Sequence, residues 1–454
     1  MRQAKVVAAN GMLGTGLRAE SLETALSWGP DVIGCDAGSA DPGPYFLATG
    51  GLHFSEDAMK RDLRIMLKGA RSKNIPFILG SAGTGGTDIG LNKIINIVKQ
   101  IAGEYNLHFR MGIVHSEQNK DYLVSMMREG RVKPLRNAPD LTEDHIRKSL
   151  HIVGMAGIEP FVECLENGAD VIIAGRASDT SIYAAVPIRM GLPPGPVWHA
   201  AKTIECGSAC VSNCTYSDCM FATIDEKGFT IEPPSPDFVC TPTSVAAHML
   251  YENASPYELI EPSGILDTRN ATYRTASPRS VRVEGSEYRP KSYTIKLEGA
   301  ELAGYQTIAI GGVRDPIILR QLDSWLDGIR WGVGWRCSEI YGKEISSKYQ
   351  LRFRVYGRDG VMGPLEPDKS IGHEVGIVLE IVAESEELSR AIASTACHIA
   401  LHFPVPEWVS LITGMAYPYS PYEIYRGAVY QFNMNHVVEP RSYKDMFSVE
   451  YMEL

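Results

Sequence analysis

Five short apolar runs in the first half of the chain each end in a loop of small residues. The runs are Val6–Ala9, Asp31–Cys35, Pro76–Leu79, Phe109–Val114 and Ala169–Ala174. Such near-continuous apolar runs suit strands buried on both faces. Helical patterns at Glu20–Trp28, Ser55–Ser72, Leu91–Glu104 and Glu159–Asn167 lie between them. Parallel strands need crossovers, and a helix is the usual one. The sequence therefore predicts an α/β domain over residues 1–210, with a parallel sheet and helices on both of its faces.

The second half reads differently. From about residue 220 to 300 short alternating stretches are broken by turns such as Glu232-Pro233-Pro234-Ser235-Pro236. Tyr293–Leu297 and Thr307–Ile310 are strand candidates, and Leu351–Tyr356 alternates with period two. Glu374–Ala383 is a longer strand, and Ser385–Phe403 a helix with a capping-box-like start. This pattern predicts an α+β domain over residues 211–454. A chain of 454 residues is too long for one ordinary core, which agrees with two domains.

Charge narrows the function. Fifty-four Asp and Glu against 44 Lys and Arg leave a formal net charge of −10, with no basic tract. Nucleic-acid binding, which rests on Lys and Arg, is not expected. No apolar run is long enough to span a bilayer. The opening Met1-Arg2-Gln3-Ala4-Lys5-Val6-Val7 runs straight into a strand pattern, without the features of a signal peptide. A cytoplasmic protein with free thiols is expected.

Ligands of parallel sheets bind outside the carboxyl ends of the strands, and there the five loops cluster. Asn10, Gly11, Gly14 and Gly16 follow the first run, and Asp36 with Ser39 the second. Gly83, Thr84, Gly85 and Gly86 follow the third, His115 and Glu117 the fourth, and Arg176 and Asp179 the fifth. Glycine amides before a helix can hold an anion. With Asp36 as a ribose acid, Gly11–Gly16 would suit a dinucleotide, although the order is not G-x-G-x-x-G. A tight turn or a substrate-binding turn are the other readings. Gly83–Gly86 lacks the Lys of a P-loop but would serve as an amide nest for an oxyanion. Asp36, His115, Glu117, Asp179 and Glu205 are the acid/base candidates. Arg176 is a natural carboxylate clamp, or else a structural ion pair.

Cys206, Cys210, Cys214 and Cys219 do not carry zinc-ribbon spacing. Cys206 follows a helix holding His199 and Lys202, whose charges would lower a thiol pKa and make it a nucleophile; an inert buried cysteine is the plainer reading. No compact zinc pattern occurs and no cofactor is required by the sequence, while the carboxylates are compatible with a hard divalent cation.

These residues carry a resemblance. Asn10-Gly11, Gly34–Gly38, Gly83–Gly86, Gly168-Ala169-Asp170-Val171-Ile172-Ile173-Ala174-Gly175-Arg176 with Asp179, Glu205-Cys206-Gly207 and Phe447-Ser448-Val449-Glu450 resemble the acyclic terpene utilisation protein A (AtuA-like) family. The chain departs from that family upstream of Glu205, where a Gly-His pair is more usual, so no role passes to His199. The resemblance implies a catabolic enzyme of branched or unsaturated acids, often as CoA thioesters, with a small companion subunit. Such pathways need hydration or dehydration. The expected activity is thus a hydro-lyase on a small carboxylic acid or acyl-CoA thioester, acting as a homo-oligomer. The alternatives are an NAD(P)-dependent oxidoreductase and a non-catalytic acyl-binding subunit that works with a small partner.

Overall fold

Side chains of a strand point alternately to opposite faces, and the first strands feed two separate cores in that way. Ala4, Val6 and Ala8 enter one core, while Val7 and Ala9 enter the other. Val32, Ile78 and Ile172 share the first core; Ile33, Phe77 and Ile173 share the second. This is the physical reason the runs lack polar alternation. The computed structural model describes residues 2–368, 370–407 and 413–454.

The five expected strands are present as Gln3–Ala8, Val32–Asp36, Phe77–Gly80, Arg110–His115 and Val171–Ala174. They pair in parallel, with Val171–Ala174 inserted between the third and fourth. Helices Ala19–Ser27, Glu56–Lys73 and Asp88–Tyr105 cover one face through Leu22, Leu63 and Ile94. Helices Lys120–Arg128, Glu159–Glu166, Asp179–Arg189 and Pro194–Ile204 cover the other through Leu123, Phe161, Ile182 and Trp198.

The sheet is mixed, not parallel throughout. Met220–Asp225 lies antiparallel to the first strand, followed by Gly228–Glu232, Ser280–Glu284 and Thr272–Ser277. Ser448–Glu453 closes the opposite edge against Arg110–His115. The result is a ten-stranded sheet. The boundary expected near residue 210 therefore falls inside one sheet. Phe229, Ile231, Val281 and Val283 alternate, as read from the sequence, but their apolar face completes the first core instead of building a new one. Covering the exposed edge of the first strand explains why they join it.

By its contacts the chain divides into Met1–Glu301 with Phe432–Leu454, and Leu302–Gln431. The first unit also holds a three-stranded sheet of Glu258–Glu261, Gly264–Asp267 and Glu287–Pro290. In the second unit Tyr305–Val313 pairs with Val375–Ala383, which pairs with Tyr349–Tyr356. Helices Leu322–Tyr341 and Glu386–His402 share its core, and Ser385 caps the latter by accepting from the Leu388 amide. The two strands expected at 293–297 and 307–310 are one strand, Ile295–Val313.

The glycine-rich turn after the first strand holds an anion, but an internal one. Asp62, 1% exposed, accepts from the Gly14 and Gly16 amides at 3.1 and 3.0 Å and from Asn10 Nδ2 at 3.4 Å. Arg61 contributes a contact at 2.7 Å. Asp62→Ala leaves these donors unpaired, and a buried unpaired donor costs about 1–3 kcal/mol. Urea unfolding is expected to show a loss on the order of 3 kcal/mol with an unchanged m-value. A midpoint equal to wild type would contradict this role.

Candidate active site

Helix Asp179–Arg189 approaches the sheet unusually closely. A Cβ on Gly34 or on Gly80 would come within 2.5 Å of Tyr183 or Ile182. The small residues of the second and third strands thus bring Asp179, the first residue of this helix, toward Asp36, the last of the second strand. A second close approach adds the other wall. Gly207, at φ +56°, lies so close to Asn10 that a Cβ would meet its carbonyl carbon at 2.6 Å. The Glu205-Cys206-Gly207 turn therefore sits directly on Asn10-Gly11.

Between them lies a cleft of about 360 Å³. Its lining includes Gly11, Ser39, Asp36, Asp41, Asp179, Glu205, Cys206, Tyr251 and Glu252. None of the lining side chains among the described residues is Lys or Arg.

Asp36 is 5% exposed. Its Oδ2 accepts from the Gly38 amide at 3.1 Å, and its Oδ1 has no hydrogen-bond partner among the described residues. Burial, then the Asp179 charge, pushes this carboxyl well above the usual carboxylate range; Arg176 only partly offsets them. Burial also raises Asp179, to about 7, with Arg176 opposing and Glu205 adding to the rise. Glu205 accepts from Thr180 Oγ1 at 2.7 Å and pairs with Lys202. Burial raises it, against the pull of Lys202. Glu261 lies deeper. It accepts from Ser178 Oγ at 3.0 Å, its Oε2 lacks a partner among the described residues, and burial raises it to about 8.

With this geometry in place, the comparison with known families is decisive. The family described as "Acyclic terpene utilisation family protein AtuA" matches residues 49–190 and 200–439. The chain belongs to the AtuA family. No curated protein and no solved structure gives a match. The match covers the Gly83–Gly86, Gly168–Asp179 and Glu205–Gly207 motifs, while Asn10, Asp36 and the Phe447–Glu450 ending lie outside it.

In this AtuA-family chain Asp36, Asp179, Glu205, Cys206, Gly11 and Ser39 meet as expected. Other expectations are corrected. Gly83, Thr84, Gly85 and Gly86 are buried, and the three glycines are packed on the backbones of Gly90, Leu47 and Arg176. A Cβ on Gly86, at φ +71°, would lie 2.2 Å from the Arg176 nitrogen. Thr84 Oγ1 accepts from the His53 amide at 3.0 Å. This loop is packing, not an oxyanion nest facing the cleft. Arg176 is no free clamp either. It gives Nε to Glu298 at 2.9 Å and Nη1 to Ser81 Oγ and the Ala177 carbonyl, both at 3.0 Å. Burial disfavours the Glu298 charge, but Arg176 and Lys296 bring that carboxyl down to about 2.

His115 and Glu117 form a separate cluster. His115 Nδ1 contacts Asp88 at 2.8 Å, and that hydrogen bond raises its pKa. Glu117 contacts His151 Nδ1 at 2.6 Å and accepts from the Asp88 amide at 3.1 Å, at the start of helix Asp88–Tyr105. Neither lines the cleft. Cys206 is half-buried, and burial followed by Glu205 drives its thiol up, not down. Lys202 is absorbed by Glu205. His199 contacts Ser286 Oγ at 2.6 Å and Tyr273 at 3.2 Å, and burial lowers it to about 3. The dinucleotide reading loses its nest, since Asp62 fills it. Asn10 is fully buried and holds Asp62 and the Cys35 thiol, so it does not face a ligand. Gly14 likewise gives its amide to Asp62.

Sequence reasoning missed Tyr251, Glu252, Glu261 and His248. They come from short turns and a small sheet beyond residue 240, with no periodic pattern to mark them.

Glu261 supplies a pH test. Its pKa rises on folding from about 4.5 to about 8, so the native state holds the proton more tightly. That contribution is complete below pH 4.5 and is lost as pH climbs through 8. Glu261→Gln removes the charged form. In chelator-treated protein it is expected to raise stability at pH 8.5 by on the order of 4 kcal/mol, with the gain fading toward pH 5. A gain that grows on acidification would refute the assignment.

Proposed function

We propose that this chain is a hydro-lyase acting on the acyl part of a small thioester, with Asp36 and Asp179 as acid and base. The observation that carries the reading is a single cleft lined by two carboxyl groups that are both raised. Burial and the Asp179 charge push Asp36 well above the usual carboxylate range, and burial raises Asp179 to about 7. Two raised carboxyls facing one cleft can divide the roles of acid and base. The ionised Asp179 takes the proton α to the thioester carbonyl. The C–O bond to the β-hydroxyl breaks, and Asp36 delivers its proton so that water leaves. Hydration is the reverse, step for step.

The charge of the cleft favours a thioester over a free acid. Asp36, Asp41, Asp179, Glu205 and Glu252 line it without a Lys or Arg among them, so the lining offers no partner to a substrate carboxylate. A thioester presents an uncharged carbonyl. The family name, acyclic terpene utilisation, agrees with a branched unsaturated acyl chain. No helix among the described residues is long and apolar enough to cross a membrane. The reading places the enzyme in the cytoplasm as a homo-oligomer, with a small companion subunit.

The test is turnover of paired β-hydroxyacyl and α,β-unsaturated substrates, each as CoA thioester and as free acid. Thioesters are expected to be preferred. Asp36→Asn and Asp179→Asn are each expected to lower kcat by roughly 10²–10⁴-fold. Glu117→Gln, outside the cleft, is expected to leave kcat near wild type. No turnover of any pair, or full activity in both Asp variants, would sink the proposal.

A further inference from the structure

One wall of the cleft gathers a different chemistry. Glu205 and Cys206 follow helix Pro194–Ile204, and His248 opens the short helix His248–Leu250. A carboxylate oxygen, the Cys206 thiol and an imidazole nitrogen lie within 4.8 Å of one another. His248 is 5% exposed, and its Nε2 has no hydrogen-bond partner among the described residues. A buried ring nitrogen left unpaired is disfavoured, so a ligand there accounts for a feature packing does not. Tyr251 stacks on the imidazole at 5.5 Å and 15°, which fixes its plane.

The electrostatics point the same way. Asp36, Asp41, Asp179, Glu205 and Glu252 face one cleft. Lys202 pairs with Glu205 and opposes a cation, but Glu252 acts on both Glu205 and Cys206, and Asp179 acts on Cys206. Acidic side chains outnumber basic ones here.

We propose that Glu205, Cys206 and His248 bind a divalent ion of the zinc class, leaving one coordination position open to the cleft. Sulfur, nitrogen and oxygen donors together select zinc-like ions over magnesium or calcium. Three protein ligands with one open position is the arrangement of catalytic zinc. Binding releases the Cys206 thiol proton, so the thiolate becomes the ligand. Glu205 keeps its bonds to Thr180 and Lys202, which orient it. The site does not depend on the hydration reading. If that reading also holds, the open position faces Asp36 and Asp179, where a thioester oxygen or a water would take it.

The experiment uses the full chain without substrate, so its failure is distinct from failure to find a reaction. Chelator-stripped protein is titrated with Zn²⁺, Co²⁺ and Mg²⁺ by calorimetry, and the Co²⁺ form is read by absorption. The expected result is one Zn²⁺ per chain and a thiolate-to-cobalt charge-transfer band. Cys206→Ser abolishes the band, and both Cys206→Ser and His248→Gln weaken Zn²⁺ binding by at least about 100-fold. Cys214→Ser, at an exposed thiol, keeps both. Circular dichroism of each variant verifies folding. Absence of stoichiometric Zn²⁺ in wild type, a band that survives Cys206→Ser, or equal affinity for Mg²⁺ would overturn the site.

Discussion

One buried guanidinium holds the strand-end loops together. Arg176 reaches Ser81 after the third strand, Glu298 from a distant strand, and Asp179 at 3.5 Å on its own loop. Its backbone joins as well. The Arg176 nitrogen donates to Gly86, and its carbonyl accepts from Ser116 Oγ and the Ala156 amide. Burial opposes the Arg176 charge, but Glu298 and Asp179 outweigh it and keep the group protonated. A buried charge of this kind is tolerable only when it is paired and hydrogen-bonded. The loops that supply those matches are therefore fixed relative to each other, and the positions of Asp36 and Asp179 follow from them.

The sequence showed the five parallel strands and their helices because hydrophobic periodicity is a local signal. It showed that Asp36, Asp179, Glu205 and Cys206 lie at strand and helix ends for the same reason. It did not show what fills a glycine-rich turn. Gly11–Gly16 and Gly83–Gly86 read as anion nests, but one receives the internal carboxylate of Asp62 and the other the backbone of Arg176. A glycine permits close approach without naming the partner. The misplaced domain boundary has a similar origin. Residues 220–284 alternate like an independent antiparallel sheet, and only tertiary packing shows that they extend the first one. His115 and Glu117 end a strand of the same sheet, yet they sit on the far side of Val171–Ala174, where they brace a helix start.

The cleft that results is defined by an excess of acidic side chains with restricted solvation. Four of its acids or their neighbours, Asp36, Asp179, Glu205 and Glu261, are raised by burial. Such carboxyls must be protonated, be paired with a cation, or destabilise the fold. The proposed proton transfer and the proposed metal site would be two answers to one imbalance. Both use groups that face the same space, which is why an acid/base reaction and a zinc-class ion are compatible in one site.

Asp179, a half-buried carboxyl raised to about 7, is the group on which the proposed chemistry turns. That value is tested most directly by a carbon-13 carboxyl titration of aspartate-labelled, chelator-treated protein, with Asp179→Asn assigning the resonance. That signal is expected to titrate near 7. A resonance titrating in the ordinary aspartate range, near 4, would contradict it.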